Sequence, residues 1–163
     1  MAEAPNVLFL CTGNSARSIL AEGLLAGLGR DRFRAHSAGS HPAGIVHPRA
    51  LEVLERHGLP TTGLRSKSWA EFATPDAPVM DFVITVCAQA AGEICPIWPG
   101  QPISAHWGVA DPAGVMGDEA TRQRAFCDAF TILRTRIRLF CELPFASLDP
   151  AAVSRQLRAI GRE

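Results

Sequence analysis

The sequence has no excess of either charge and no long hydrophobic run, and each absence excludes a class of function. Sixteen basic side chains balance 16 acidic ones, and the arginines are scattered along the chain. A protein that binds nucleic acid or a membrane surface would need a basic stripe instead. The apolar run near the start, residues 7–10, is too short for a signal peptide or a membrane span. We therefore expect a cytoplasmic protein whose partners are small molecules, with no nucleic-acid or membrane partner.

The cysteines and histidines lack the spacing of a metal site. No histidine stands at a ligand-like interval from a cysteine pair, and Cys87 and Cys95 are too far apart for a zinc knuckle. The five cysteines cannot all pair, and an intracellular chain of this size typically keeps its thiols reduced or uses them in redox catalysis. We predict no metal and no cofactor. Cys127 and Cys141, on one predicted helix, are interpreted as core residues.

Short apolar strands alternate with amphipathic helices along the chain. Strands are predicted at residues 7–10, 33–37, 82–86 and 103–107, and helices at 18–29, 48–58, 118–143 and 150–160. This alternation predicts an α/β fold of three layers, α/β/α, with a four-stranded parallel sheet in the flavodoxin-like order 2-1-3-4. The 163 residues, 47% of them apolar, fit one domain, predicted over residues 1–145, with residues 146–163 as its C-terminal helical extension.

The turn between the first strand and the first helix has the composition of an anion-binding loop. It runs from Cys11 to Ser18 and lies at the sheet edge where open α/β proteins bind ligands. Its amides and the positive end of the helix dipole would cradle a tetrahedral oxyanion, which Arg17 would grip with two parallel hydrogen bonds. Gly13 is expected to let the chain turn tightly. The residues predicted to bind the substrate are Thr12, Gly13, Asn14, Ser15, Ala16, Arg17 and Ser18.

The same loop predicts a nucleophile at Cys11. The field of the amides, the helix and Arg17 is expected to lower the pKa of Cys11, so that a thiolate exists at neutral pH, while Ser18 donates to the sulfur. The alternative is an ordinary core cysteine beside a surface arginine, because spacing alone is weak evidence. The conjunction of apolar strand, cysteine, Gly-Asn-Ser turn, arginine, serine and amphipathic helix favours catalysis.

This loop resembles the C-x5-R-S/T loop of the low-molecular-weight phosphotyrosine phosphatase superfamily, and the order of elements is similar over roughly the first 140 residues. The resemblance implies the fold of those phosphatases, a covalent thiol-oxyanion intermediate and a general acid in an Asp-Pro dipeptide. Asp111-Pro112, just after the fourth predicted strand, is the candidate here. An ordinary turn is the alternative interpretation of this dipeptide, but its position on the Cys11 edge of the sheet favours catalysis.

Two further cysteines separate a phosphatase from a redox enzyme. Cys87 directly follows the third strand, so the predicted strand order brings Cys11 and Cys87 to within about 5 Å at one edge, close enough for a disulfide. If residues 88–94 were helical, Cys95 would stand about 12 Å from Cys87, and bonding the two would require that segment to unwind. A phosphatase needs one thiol, whereas an oxyanion reductase must supply two electrons and therefore needs a relay.

The longer motifs resemble the thioredoxin-coupled arsenate reductases of the same superfamily. They are Ile84-Thr85-Val86-Cys87, Cys95-Pro96-Ile97-Trp98-Pro99, His106-Trp107-Gly108 and Asp111-Pro112-Ala113-Gly114. The resemblance implies that Cys11 attacks arsenate, that Cys87 displaces arsenite by forming a disulfide with Cys11, and that Cys95 then attacks Cys87. Thioredoxin would reduce the final disulfide, between Cys87 and Cys95. The expected substrate is arsenate, with phosphate or sulfate as analogues.

The chain departs from this pattern in the loop and in the relay. Ala16 replaces a cysteine that is common in the arsenate reductase loop, and the interval from Cys87 to Cys95 is one residue longer than in the best-known members. Some members bind potassium near the loop, but no matching aspartate stands around Trp69, and we do not predict the ion. The side chains that would serve such an ion are Asn14, Glu22 and Ser37.

Two alternative functions stay open. One is phosphomonoester hydrolysis by Cys11, Arg17 and Asp111, as the main or a residual activity. Ala113 argues against it as the main activity, because phosphotyrosine phosphatases tend to carry an aromatic residue there that stacks on the substrate. The other alternative is a catalytically silent module that binds an oxyanion or arsenite.

Overall fold

The computed structural model describes residues 3–87 and 98–163, and these ranges contain four parallel strands and four α-helices. The strands are β1 (Asn6–Cys11), β2 (Arg34–Gly39), β3 (Phe82–Thr85) and β4 (Ile103–His106), and the helices are α1 (Arg17–Gly29), α2 (Pro48–Arg56), α3 (Glu119–Cys141) and α4 (Pro150–Ile160). The sheet order is β2-β1-β3-β4, and each pairing is parallel. The predicted parallel sheet in the order 2-1-3-4 is therefore confirmed.

The central strand β1 is buried on both faces, which explains its continuous apolar run. Val7 and Phe9 join the larger core, to which α1, α2, α3 and α4 contribute. Leu8 and Leu10 point to the opposite face and pack in a smaller cluster with Phe72. Because β1 and β3 run parallel in adjacent positions, their carboxyl ends meet at one edge of the sheet.

Helix α3 packs along the larger core with a stripe of aromatic and aliphatic residues. Asp118 caps its N-terminus by accepting a hydrogen bond from the Thr121 amide at 2.8 Å. Burying each large apolar side chain of such a stripe stabilises the fold by about 1.5–3 kcal/mol. The buried members are Phe126, Ala129, Phe130, Leu133, Ile137 and Phe140.

The C-terminal helix α4 covers the edge strand β4. Asp149 caps this helix, accepting from the Ala152 amide at 2.8 Å, and Pro150 occupies its first turn. Its apolar face buries Val153, Leu157 and Ile160 in the larger core. In the described parts of the chain, no helix has the length and apolar character needed to cross a membrane.

Candidate active site

The loop between β1 and α1 is held from outside by the segment that follows β2. Backbone amides of residues 40–47 donate to four carbonyl oxygens of the loop, at 2.9–3.3 Å. A carbonyl and the following N–H point in opposite directions across a trans peptide, so these bonds turn the loop amides away from residues 40–47. The Gly13 amide, for example, donates to the Cys11 sulfur. The carbonyls that accept are those of Cys11, Thr12, Gly13 and Ser15.

Helix α1 begins directly after this loop without a side-chain cap. Ala16 occupies the N-cap position and offers no side-chain hydrogen bond to the first turn. The first amides of an α-helix have no partner within the helix, and the positive end of its dipole favours an anion there. The loop and the first turn of α1 together provide the donor set that a tetrahedral oxyanion needs.

The left-handed backbone conformation of the loop lies at Asn14, the residue after Gly13, at which the sequence predicted a tight turn. Asn14 has φ 46° and is fully buried. Its amide nitrogen donates to Ser18 Oγ at 2.7 Å and to Ser37 Oγ at 3.0 Å, and its Oδ1 accepts from the Lys67 amide at 2.9 Å. These bonds hold a conformation that costs a non-glycine residue about 1–2 kcal/mol. Asn14 thus holds the loop in place through its side-chain hydrogen bonds to Ser18, Ser37 and Lys67.

A second glycine, Gly39, has a role that the sequence did not reveal. It ends β2 beside the loop, and a Cβ placed there would lie 2.4 Å from the Thr12 carbonyl oxygen. Any larger residue would push the loop backbone aside. At Gly13, by contrast, a Cβ would have no atom within 4 Å. The Gly-Ser-His-Pro sequence at the end of β2 signals a turn but not this close approach.

The thiols of Cys11 and Cys87 meet at the carboxyl ends of β1 and β3. The Val86 amide donates to the Leu10 carbonyl at 2.8 Å, which brings the two following residues side by side. The Cys11 and Cys87 side chains lie next to each other, both residues are nearly fully buried, and Thr12 Oγ1 lies 3.5 Å from the Cys87 sulfur. The predicted proximity of these two cysteines is confirmed.

The contact between Cys11 and Cys87 shifts the pKa of Cys11 upwards, so the predicted lowering of this pKa is wrong. The hydrogen bond to Cys87 raises the pKa of Cys11, and burial raises it further. Arg17 and the Gly13 amide oppose this shift but do not overcome it. The pKa of Cys11 therefore lies above that of an ordinary thiol, because two buried sulfurs side by side disfavour a charge on this one.

Arg17 connects the loop to the segment that carries Asp111. Its Nη1 donates to the Val109 carbonyl at 2.9 Å, and its Nη2 lies 3.9 Å from Asp111 Oδ2. Its Nε is buried and has no hydrogen-bond partner among the described residues. A buried donor without a hydrogen-bond partner costs about 1–3 kcal/mol of stability, and an oxyanion in the loop would accept a hydrogen bond from this one.

Asp111 lies beside Arg17 at the rim of the site. Its Oδ1 accepts from the Ala113 amide at 3.0 Å and caps the 3-10 turn Pro112–Gly114. Its side chain is 49% exposed. The structure brings four predicted site residues together, namely Cys11, Arg17, Cys87 and Asp111.

The other cysteines are distributed differently. Cys95 lies outside the described residues. Cys127 is half-buried and Cys141 is buried, both on α3, and burial raises the pKa of Cys141. Across residues 3–87 and 98–163, no group of three or more His, Cys, Asp or Glu side chains could hold a metal ion.

A buried ionic network beneath the loop was missed in the sequence. Lys67, the only lysine in the chain, has a side chain 7% exposed, and its Nζ lies 3.7 Å from Glu22 Oε1. Ser37 Oγ donates to the same Glu22 oxygen at 2.5 Å and accepts from Asn14. Burial raises the pKa of Glu22, while Ser37 and Lys67 counter that shift. The Lys67 ammonium thus lies beside Glu22, one of the three side chains considered for potassium. That Lys67 is the only lysine in the chain was the one sequence signal that could have drawn attention to this network.

Comparison with known proteins agrees with this arrangement. The family model for low molecular weight phosphotyrosine protein phosphatase matches residues 6–151. An arsenate reductase of Shouchella clausii is 33% identical over 136 residues, covering 83% of this chain and 94% of that protein. An arsenate reductase of Bacillus subtilis is 32% identical with the same coverage. Most of α4 lies beyond the range matched to the family.

Solved structures with a similar fold include arsenate reductases and a tyrosine phosphatase. An arsenate reductase in its phosphate-binding state superposes with a TM-score of 0.63 at 28% identity, covering 82% of this chain and 97% of that one. A thioredoxin-dependent arsenate reductase of Corynebacterium glutamicum gives 0.58 at 27% identity, covering 85% of this chain and 64% of that one. The Escherichia coli tyrosine phosphatase Wzb, solved with sulphate, has the same fold, with a TM-score of 0.67 at 21% identity over 85% of this chain and 97% of that one.

Proposed function

Because the chain belongs to the low molecular weight phosphotyrosine protein phosphatase family, we propose that it is an arsenate reductase that works through Cys11, Cys87 and Cys95. The observation that carries the proposal is that the buried Cys11 and Cys87 thiols lie side by side at the carboxyl ends of β1 and β3, next to the loop that carries Arg17. Phosphate-ester hydrolysis uses one thiol, whereas reduction of arsenic(V) to arsenic(III) takes two electrons, which two thiols supply when they form a disulfide. The named arsenate reductases among the relatives support this choice.

In the first step, arsenate binds to the loop amides and to Arg17, whose buried Nε lacks a protein partner among the described residues. The Cys11 sulfur attacks arsenic and an As–O bond breaks. The thiol proton and the departing hydroxyl group leave as water, so the dihydrogen arsenate monoanion and the thiol give a singly charged arsenic(V) adduct on the Cys11 sulfur. Asp111 is the proposed general acid that delivers the proton to the leaving oxygen, because its carboxyl lies beside Arg17 and reaches solvent.

In the second step, Cys87 attacks the Cys11 sulfur of the adduct. An S–S bond forms, the S–As bond breaks, and its electron pair stays on arsenic. Arsenic is reduced by two electrons, the two sulfurs are oxidised, and the Cys87 proton leaves with the product, the dihydrogen arsenite monoanion. The two thiols are already in contact, so this step needs little rearrangement of the backbone.

In the third step, the Cys95 thiol attacks Cys87 and returns Cys11 to its thiol form. The resulting Cys87–Cys95 disulfide is reduced by a dithiol protein of the thioredoxin class, which takes up the disulfide bond in exchange. The role of Cys95 rests on the motif Cys95-Pro96-Ile97-Trp98-Pro99 and on the resemblance to thioredoxin-coupled enzymes.

Substitution of each relay cysteine tests this sequence of steps. In Cys95→Ser, one equivalent of arsenite should form per protein, and mass spectrometry should find a Cys11–Cys87 disulfide, with no further turnover when thioredoxin is added. In Cys87→Ser, no arsenite should be released. Cys127→Ser, on α3, is the matched control and should turn over normally. Undiminished steady-state reduction by Cys95→Ser would overturn the relay.

Phosphomonoester hydrolysis is the second candidate, because Cys11, Arg17 and Asp111 form the set that it requires. The two activities respond differently to the same substitutions. Hydrolysis of p-nitrophenyl phosphate should survive in Cys87→Ala and Cys95→Ser, whereas steady-state arsenate reduction should not. If arsenate gives no arsenite and the aryl phosphate is turned over efficiently, hydrolysis is the main activity.

A further inference from the structure

The segment between β4 and Asp111 is held by the C-terminal helix, and this contact has a consequence for catalysis. We propose that Arg136, acting together with α4, is a positioning residue that fixes residues 107–111 and thereby places Asp111 against the bound oxyanion. The inference rests on the role proposed above for Asp111 and extends it to a region outside the loop. Most of α4 lies beyond the residues matched to the family.

The first contact is at Trp107. The Trp107 ring is fully buried, and its Nε1 donates to the Leu157 carbonyl of α4 at 2.9 Å. Its backbone amide donates to the Thr85 carbonyl at 2.7 Å, which continues the pairing of β3 with β4. Gly161 packs so closely that a Cβ there would lie 2.6 Å from the His106 carbonyl oxygen. The start of the segment is therefore clamped between the sheet and the C-terminal helix.

The second contact is the guanidinium of Arg136, on α3. Arg136 is 7% exposed, and arginine is rarely buried to this degree without several partners. Its Nη1 donates to the Gly108 carbonyl at 3.0 Å, and its Nε donates to the Glu163 backbone oxygen at 3.3 Å. Burial lowers the pKa of Arg136, because removing the guanidinium from water disfavours its charged form. The side chain thus ties the residues that follow α4 to the residues that follow β4.

The third contact comes from the active site itself. The next carbonyl, that of Val109, accepts from Arg17 Nη1 at 2.9 Å, and the Val109 amide donates to the Val86 carbonyl at 3.0 Å. Two consecutive carbonyls are therefore held by two arginines, Gly108 by Arg136 and Val109 by Arg17. Asp111 follows two residues later, at the exposed rim, where fixed backbone upstream determines how closely its carboxyl approaches Arg17.

A double-mutant cycle with Asp111→Asn tests this role. Arg136→Met keeps an unbranched side chain but removes both donors, and we expect kcat for arsenate to fall about tenfold with KM changed less than about twofold. In the Asp111→Asn background, Arg136→Met should have less than about a twofold effect, because the acid that it positions is absent. Arg136→Lys should recover part of the rate, since one donor to Gly108 returns. Arg138→Met, an exposed arginine on the same helix, is the control.

Equal loss of kcat in both backgrounds would overturn the proposal, since it would indicate a general structural defect, and so would an unchanged kcat. Circular dichroism and thermal melting verify folding. If Arg136→Met does not fold, Trp107→Phe, which keeps an aromatic ring but removes the Nε1 donor to α4, takes its place in the same cycle. If the wild-type chain gives no arsenite, the proposed function fails, and the cycle with p-nitrophenyl phosphate then tests the positioning of Asp111 by itself.

Discussion

Cys11 ends β1 and Cys87 follows the neighbouring parallel strand β3, so the two thiols meet at one edge of the sheet, and this contact is the first cause of the raised pKa of Cys11. Reactive cysteines in anion-binding loops commonly have a lowered pKa, because the loop amides and an arginine favour the thiolate. In this chain the second thiol outweighs that field. The arrangement that prepares a disulfide also disfavours the thiolate form of the nucleophile.

Removal of the second thiol should therefore lower the pKa of Cys11. Cys87→Ala deletes the hydrogen bond that raises the pKa most, while burial, Arg17 and the Gly13 amide stay in place. The rate of alkylation of Cys11 by iodoacetamide should rise at neutral pH, and its pH profile should move to lower pH. Mass spectrometry of the Cys11 peptide measures this rate against that of Cys127→Ala. An unchanged profile, or one displaced to higher pH, would contradict the assigned cause.

Two glycines near the loop should differ sharply in their tolerance to alanine. Gly39→Ala places a Cβ 2.4 Å from the Thr12 carbonyl oxygen, so the loop must move, whereas Gly13→Ala meets no atom within 4 Å. We expect Gly39→Ala to lower the free energy of unfolding by about 2 kcal/mol and to weaken phosphate binding, and Gly13→Ala to change stability by less than about 0.5 kcal/mol.

Urea denaturation measures the stabilities, and protection of Cys11 from alkylation by phosphate measures binding. Similar losses of stability and of phosphate binding in the two variants would mean that the loop does not depend on the close approach of Gly39 to the Thr12 carbonyl.

The sequence predicted those parts of the fold that depend on local patterns. Apolar runs such as residues 7–10 and 82–86 specify buried parallel strands, and the strand order follows from right-handed crossovers. The meeting of Cys11 and Cys87 was predictable for the same reason, because strand order alone brings the two strand ends together. The docking of α4 on β4 was not, since an amphipathic helix does not specify which surface it covers.

The site was less predictable than the fold because its fine structure depends on tertiary contacts. Gly13 has the sequence signature of a turn, yet Asn14 adopts the left-handed conformation, held by Ser18, Ser37 and Lys67. Two of these partners, Ser37 and Lys67, come from distant segments of the chain, and no local spacing relates them to Asn14. The direction of the Cys11 pKa shift likewise depends on the tertiary contact with Cys87, whose effect on the pKa opposes that of the loop amides. Only the geometry shows which of the two effects is larger.

The buried pair of Lys67 and Glu22 predicts a pH-dependent effect on stability. Lys67→Met leaves the Glu22 carboxylate without its ammonium, so the pKa of Glu22, already raised by burial, should rise further. A raised pKa in the folded state means that folding favours the protonated acid, so stability is lost as the pH increases through the pKa. We expect a loss of about 3 kcal/mol at pH 8 and a much smaller one at pH 5.

Urea denaturation at the two pH values checks this expectation. Arg65→Met is the control, because Arg65 forms an exposed pair with Glu71 that contributes little. A loss of stability for Lys67→Met that is equal at pH 5 and pH 8 would show that packing, and not charge, explains it.

Asp111→Asn should separate proton delivery from structure. The asparagine Oδ1 can still accept from the Ala113 amide, so the cap of the turn Pro112–Gly114 is retained and stability should change little. The acid is lost, so the rate of arsenite formation in a single turnover should fall about 10²–10⁴-fold. Phosphate should bind as well as before or more tightly, because a negative charge beside Arg17 has been removed. Rapid-quench measurement of arsenite gives the rate, and protection of Cys11 from alkylation gives the affinity. A variant that binds phosphate normally and forms arsenite at the wild-type rate would remove Asp111 from the chemistry, because no effect on folding or on binding could then conceal its role.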